Sequence, residues 1–208
     1  MDCLLAMIHV CQMPAVLPCI GIVLAGGRSA RMGRDKALLP WHGRPLIERQ
    51  IAVLRAAGAD AIRVSGNRPG YGGIPDAFPG SGPLAGLVSV GAVCPDAHLL
   101  IIPVDMPLLS AALLQRLHVE VQSAAGCIRF AGHVLPMCLR WDARCRAILG
   151  ELARAADPRL RSLRALQQRT GLEELGLGAD EAVQLIDCNS EEIWRNAAGR
   201  RSRGGNDL

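Results

Sequence analysis

The sequence predicts a three-layer α/β fold: a doubly wound, mostly parallel sheet with helices on both faces. Three observations lead there. Short β-branched runs alternate with segments of helical periodicity up to residue 122. The runs are apolar at consecutive positions, as in strands buried on both faces. Polar residues stand at the carboxyl ends of those runs, where open parallel sheets bind their ligands.

The elements follow in order. Cys19–Ala25 reads as a buried strand and is followed by a glycine-rich loop over 26–35. Leu46–Ala57 places Leu46, Ile47, Ile51, Val53 and Leu54 on one helical face, and Gly58 stops it. Ala61–Gly66 reads as a second strand and Asn67-Arg68-Pro69-Gly70 as a turn. A Pro/Gly-rich loop over 69–83 contains Asp76 and leads into a helix over Leu84–Val93, whose small residues permit close packing. His98–Val104 is the strongest strand, ending at Asp105-Met106-Pro107, and Ser110 is placed to cap a helix over 111–122. The second half is less regular. Strands are expected at Gly126–Phe130, Val134–Trp141 and Val183–Asp187, and helices at Asp142–Ala156, Leu160–Arg169 and 191–197. With neither repeat nor linker, residues 19–198 read as one domain, 1–18 as a disordered extension and 199–208 as a disordered basic tail.

Composition excludes several classes. Half of the residues are hydrophobic, which rules out a disordered chain, and aromatics are 3%, too few for base-stacking platforms. The net charge is +4, of which Arg200, Arg201, Arg203 and Asp207 supply +2, so no nucleic-acid partner is indicated. Residues 3–25 are mostly apolar, but they follow Asp2, lack Lys and Arg, and are interrupted by Pro14 and Pro18. That pattern speaks against a signal peptide or a membrane span and for a cytoplasmic protein. Eight cysteines without metal-type spacing read as reduced core thiols.

The chemistry concentrates around one residue. Lys36 is the only lysine beside 22 arginines, and it lies in Leu24-Ala25-Gly26-Gly27-Arg28-Ser29-Ala30-Arg31-Met32-Gly33-Arg34-Asp35-Lys36. A compact ammonium reaches phosphate oxygens where a guanidinium fork does not fit. Unobstructed amides at Gly26 and Gly27 can wrap phosphate, with Arg31 and Lys36 adding charge; a plain tight turn is the alternative. Neither the Gly-Lys-Ser/Thr loop nor the dinucleotide fingerprint is present. Asp105, at the end of an apolar strand, suits either Mg2+ or the capping of the next turn. His42, His98, His118 and His133 have no ligand spacing, and the Arg-rich stretch 154–169 reads as a solvated helix face, with contact to an anionic substrate as the alternative.

The loop resembles the L-A-G-G-x-S-x-R-M-G-x-D-K signature of the molybdenum cofactor guanylyltransferase family. Gly43-Arg44-Pro45-Leu46, Asp76 ahead of Gly82-Pro83-Leu84-Ala85-Gly86, Pro103-Val104-Asp105-Met106-Pro107 and Ile186–Glu192 extend the likeness over residues 21–193. The resemblance implies a Rossmann-like nucleotidyltransferase that joins GMP from GTP to molybdenum-molybdopterin and releases pyrophosphate. It implies nucleotide contacts at Leu24, Ala25, Gly26, Lys36, Ser65, Asp76 and Asp105, with Lys36 and Asp105 catalytic; the loop's own pattern adds Gly27 and Arg31, and Asn67 is a substitute for Ser65. Asp105 is the implied Mg2+ ligand, with Asp187 or Asn189 as further candidates. Transient contact with molybdoenzymes or their chaperones follows from the same resemblance. Ser65 and Asp187 depart from the family pattern, which often has Asn at both positions. Rival readings are a cytidylyltransferase of the same cofactor, a sugar-phosphate nucleotidyltransferase, and a non-enzymatic module that delivers molybdopterin.

Overall fold

The computed structural model describes residues 17–26, 35–78, 82–189 and 191–201. Gly27 and Arg31, residues 1–16 of the expected extension and residues 202–208 of the tail lie outside the described residues.

The first half follows the expected alternation. Strand β1 (Cys19–Leu24) is followed by a 3-10 turn over Lys36–Leu38 and a small hairpin of β2 (Pro40–Trp41) and β3 (Arg44–Pro45). Helix α1 (Leu46–Ala56), β4 (Ala61–Ser65), α2 (Pro83–Gly91), β5 (Ala97–Pro103) and α3 (Ala111–Glu120) come next. Ser110 caps α3 as expected, accepting a hydrogen bond from the Leu113 amide at 3.2 Å. Proline at the first position of α2 costs nothing, because that amide has no partner within the helix. The small residues of α2 do allow close packing: a Cβ on Gly91 would stand 2.6 Å from the Trp141 ring.

The second half holds β6 (Cys127–Phe130), β7 (Met137–Trp141), α4 (Ala143–Ala153), α5 (Leu163–Thr170), β8 (Leu172–Leu175), α6 (Ala179–Ala182) and α7 (Glu191–Arg201). Three sequence expectations need correction. Val183–Asp187 is not a strand: α6 runs into a 3-10 turn over Val183–Leu185, and the segment beyond it makes a single backbone bond to the sheet's end, from the Cys188 amide to the Asp105 carbonyl at 2.8 Å. Helix α5 starts at Leu163 rather than Leu160, because Ser162 caps it through the Ala165 amide after a 3-10 turn at Pro158–Leu160. Strand β8 carries two exposed glutamates in four residues, a composition with weak strand propensity, and sequence reading passed over it.

The six strands lie in the order β4-β1-β5-β7-β6-β8. Pairings β4–β1, β1–β5 and β6–β8 are parallel, and β7 alone runs against its two neighbours. Side chains alternate between two cores. Leu100 and Ile102 of β5 pack with Leu46, Ile47 and Leu54 of α1 and Leu113, Leu114 and Leu117 of α3. Leu99 and Ile101 face the other side, toward Leu87 and Val90 of α2, Leu149 and Leu152 of α4, and Leu166 of α5. Helices on both faces make the three layers predicted from the consecutive apolar runs. Among the described residues, six cysteines are buried and free, and no helix is long and apolar enough to cross a membrane. Strand β1 is flanked by β4 and β5: the chain runs from β1 out to β4 and then crosses back past β1 to β5, so the strand order reverses there. The carboxyl end of β1 is therefore the switch point at which such sheets bind ligands.

Candidate active site

Two polar clusters meet the carboxyl ends of β1, β4 and β5. The first is built on Lys36. Its ammonium donates to Asp105 Oδ2 at 3.1 Å and to Asn189 Oδ1, and Asn189 in turn donates to Asp187. Asp105 follows β5 directly, and Lys36 opens a 3-10 turn capped by Asp35, whose Oδ1 accepts from the Ala37 amide at 3.1 Å. Asn189 and Asp187 come from the far end of the chain. They are held by the Cys188–Asp105 backbone bond and by α7, whose Trp194 meets Trp41 edge-on with ring centroids 5.1 Å apart. Gln50 of α1 braces the same strand end, donating to the Met106 carbonyl at 2.8 Å.

The second cluster surrounds Asp76. The buried Ser65 hydroxyl, at the end of β4, donates to Asp76 Oδ1 at 3.2 Å. A Cβ on Gly26 would stand 2.8 Å from Asp76 Oδ2, so the loop glycine lies directly against this carboxylate. Gly66, at φ +109°, approaches as closely from the other side: a Cβ there would meet the Gly26 nitrogen at 2.8 Å. A Cβ on Gly86 of α2 would stand 2.3 Å from Ser65 Oγ. Leu24 and Ala25 are buried beneath, while Asn67 is exposed on the turn.

Gly86→Ala tests this cluster. Alanine ordinarily stabilises a helix by about 1 kcal/mol over glycine. Here the methyl group must displace Ser65 from Asp76, so the variant is expected to melt below the parent by calorimetry. A higher melting temperature would show that the Ser65–Asp76 pair yields to the methyl group without cost.

Beside the Lys36 cluster a cleft of about 760 Å³ opens, lined by Asp105, Asp187, His133, Arg161 and Arg164. That is the size of a small-molecule site. Arg161 and Arg164 are solvated, as their sequence context suggested, and they also line this cleft, in keeping with the alternative reading of the Arg-rich stretch. Cys188 is not a nucleophile in waiting. Burial, then the carboxylates of Asp105 and Asp187, push its thiol up to about 11 against the opposing pull of Lys36.

The described residues of the site thus offer oxygen ligands and cations suited to phosphate and a metal ion. No group of three or more His, Cys, Asp or Glu side chains suited to a metal occurs among the described residues. Asp105 and Asp187 both line the cleft. That pair suits Mg2+, which is commonly held by one or two carboxylates and completes its shell with substrate phosphates and water.

Sequence reasoning missed Arg68 and Asp35. The Arg68 guanidinium donates to the Ala25 carbonyl through Nε at 3.2 Å and Nη2 at 3.0 Å, and to both oxygens of Asp35. Only the Asp-Lys spacing within the loop motif hinted at Asp35. Nothing in the turn after β4 singled out Arg68.

Comparison with known proteins gives the family and the fold. A curated molybdenum cofactor guanylyltransferase from Xanthomonas euvesicatoria is 53% identical over 85% of this chain and 93% of its own length. One from Pseudomonas putida KT2440 is 33% identical over 86% of this chain and 96% of its own. In fold, the chain is similar to molybdopterin-guanine dinucleotide biosynthesis protein A from Archaeoglobus fulgidus, with a TM-score of 0.68 at 18% identity over 88% of this chain and 99% of that one. Residues 21–172 match the family described as a MobA-like NTP transferase domain, and with Lys36 and Asp105 meeting at the sheet's switch point, the chain belongs to that family of nucleotidyltransferases.

Proposed function

We propose that this protein transfers GMP from GTP to the terminal phosphate of molybdenum-molybdopterin, giving the guanine dinucleotide cofactor and pyrophosphate. The observation that carries the reading is the Lys36–Asp105–Asn189 cluster, set beside a cleft lined by Arg161 and Arg164. GTP lies along the loop, against Leu24, Ala25, Gly26, Gly27 and Arg31, with Ser65, Asn67 and Asp76 at its nucleoside end. The acceptor phosphate enters from the cleft, where two guanidinium groups balance its charge.

An acceptor oxygen forms a bond to the α-phosphorus, the bond from that phosphorus to the β-bridging oxygen breaks, and pyrophosphate leaves with the electron pair. The nucleophile is already a phosphate anion, so no base is required. Lys36 and the loop amides neutralise charge on the leaving pyrophosphate, and catalysis consists of positioning and electrostatics. Mg2+, held by Asp105 with Asp187 and Asn189 beside it, would supply further charge neutralisation at the phosphate oxygens. Residues 19–198 act as one domain in the cytoplasm, and the product passes to molybdoenzymes or their chaperones by transient contact.

A survey of the four NTPs with pyrophosphate detection tests this, using molybdenum cofactor and sugar phosphates as acceptors. GTP with molybdenum cofactor is expected to give the highest kcat/KM. CTP preference would make the protein a cytidylyltransferase of the same cofactor, and turnover of sugar phosphates would move the acceptor class. Pterin binding without pyrophosphate release would leave a delivery module.

A further inference from the structure

We propose that Arg68 is a positioning residue for this transfer: it ties the two ends of the glycine-rich segment together and, through Asp35, sets the turn from which Lys36 reaches the phosphates. The proposal rests on the function above for its kinetic consequence and on geometry alone for the tie.

The geometry is specific to a guanidinium. Nε and Nη2 of Arg68 chelate the Ala25 carbonyl at 3.2 and 3.0 Å, on the residue where β1 gives way to the loop. Nη1 and Nη2 of the same planar group grip the two oxygens of Asp35, with Nη2 at 2.8 Å from Oδ1, where the loop ends. Asp35 Oδ1 is at the same time the cap on the Ala37 amide, so one carboxylate serves both the clamp and the turn that begins at Lys36. The chain of contacts runs from Arg68 through Asp35 and that turn to the Lys36 ammonium on Asp105 and Asn189.

Arg68 is itself anchored. Its carbonyl accepts from the amides of Tyr71 and Gly73, each at 2.9 Å. Gly73 packs so closely that a Cβ on it would stand 2.6 Å from the Arg68 Cβ. The side chains of Arg68 and Asp35 are 18% and 34% exposed, so the pair is partly withdrawn from solvent. An ordinary surface ion pair joins two mobile side chains by charge alone. This one joins a carboxylate and a backbone carbonyl to one rigid fork, a pattern that an ammonium on a flexible stem cannot reproduce.

The test uses Arg68→Lys, which keeps the charge and removes the fork, and Asp35→Asn, which keeps the shape and weakens the partner. Each variant is expected to lower kcat for GMP transfer by about 10²-fold with little change in the KM for GTP, because a displaced Lys36 costs more in the transition state than in the ground state. The double variant is expected to fall no further than either single one, the signature of residues acting as a unit. Independently of activity, amide hydrogen exchange over residues 35–38 is expected to accelerate about tenfold at an unchanged melting temperature, as the turn loses its tether. Unchanged exchange in both variants would overturn the tie, and faster exchange with parental kcat would overturn the positioning role. Strict additivity of the two substitutions would also overturn it. A parent that transfers GMP to no acceptor would refute the function itself, and the exchange measurement would still decide whether Arg68 holds the turn. Should Arg68→Lys fail to fold, Asp35→Asn carries the same kinetic and exchange measurements.

Discussion

Replacing Lys36 with alanine is expected to lower the rate of GMP transfer by about 10²–10³-fold, the usual cost of removing one preorganised donor to developing charge. Stability should scarcely change. The Lys36–Asp105 pair is partly solvated, with side chains 15% and 23% exposed. A pair of that kind contributes at most about 1 kcal/mol, equivalent to about 2–4 °C in a chain of this size. The contrast between a large kinetic and a small thermal effect is the content of the prediction. Guanylyl transfer at the parental rate with an intact melting curve would remove Lys36 from the mechanism.

Asp105→Asn should be the more severe variant. It keeps the shape of the side chain and the backbone bond between the Asp105 carbonyl and the Cys188 amide, so the fold around it is preserved. It removes the carboxylate that faces Lys36 and the principal metal-ligating group proposed for the site. A loss of about 10³-fold or more is expected, together with a flattened dependence of the rate on Mg2+ concentration, since metal ions at such sites supply several kcal/mol of charge stabilisation. Activity that persists with the parental Mg2+ midpoint would exclude the metal role. In that case Asp105 would serve only to orient Lys36.

The site is more economical than the linear sequence suggests. Lys36, Asp105, Asn189 and Asp187 form one continuous hydrogen-bonded chain, although they come from the loop after β1, the end of β5 and the segment before α7. Asp187 adds a carboxylate to that chain. With Asn189 donating to it, Asp187 helps to hold the amide whose oxygen receives Lys36.

Much of the first half was legible before the structure because its signals are local. A β-branched run between glycines, an amphipathic face from Leu46 to Leu54 and a serine placed to cap α3 each depend on near neighbours. The second half was less legible because its decisive features are not local. The run Val183–Asp187 has strand-like composition, yet a helical turn takes its first half and one bond to Asp105 takes the rest. Strand β8 exists because β6 offers an edge, across which Arg129 meets Glu174 at 3.0 Å from Nε; two glutamates in four residues would not advertise it.

What the sequence by itself determined is the chemistry and the frame: an α/β sheet, a loop of glycines with one lysine among arginines, and an aspartate at the end of the most apolar strand. Local propensity, burial pattern and a long fixed-spacing motif are properties of contiguous residues, and they survive in one dimension. Only the tertiary structure decided which distant groups share that loop. It brought Asn189 onto Lys36, turned Arg161 and Arg164 toward the cleft beside Asp105, and set the Arg68 fork across the two ends of the loop. Those placements depend on how strands order themselves in a sheet and where the connecting segments return, and residues far apart in the chain carry no local mark of meeting.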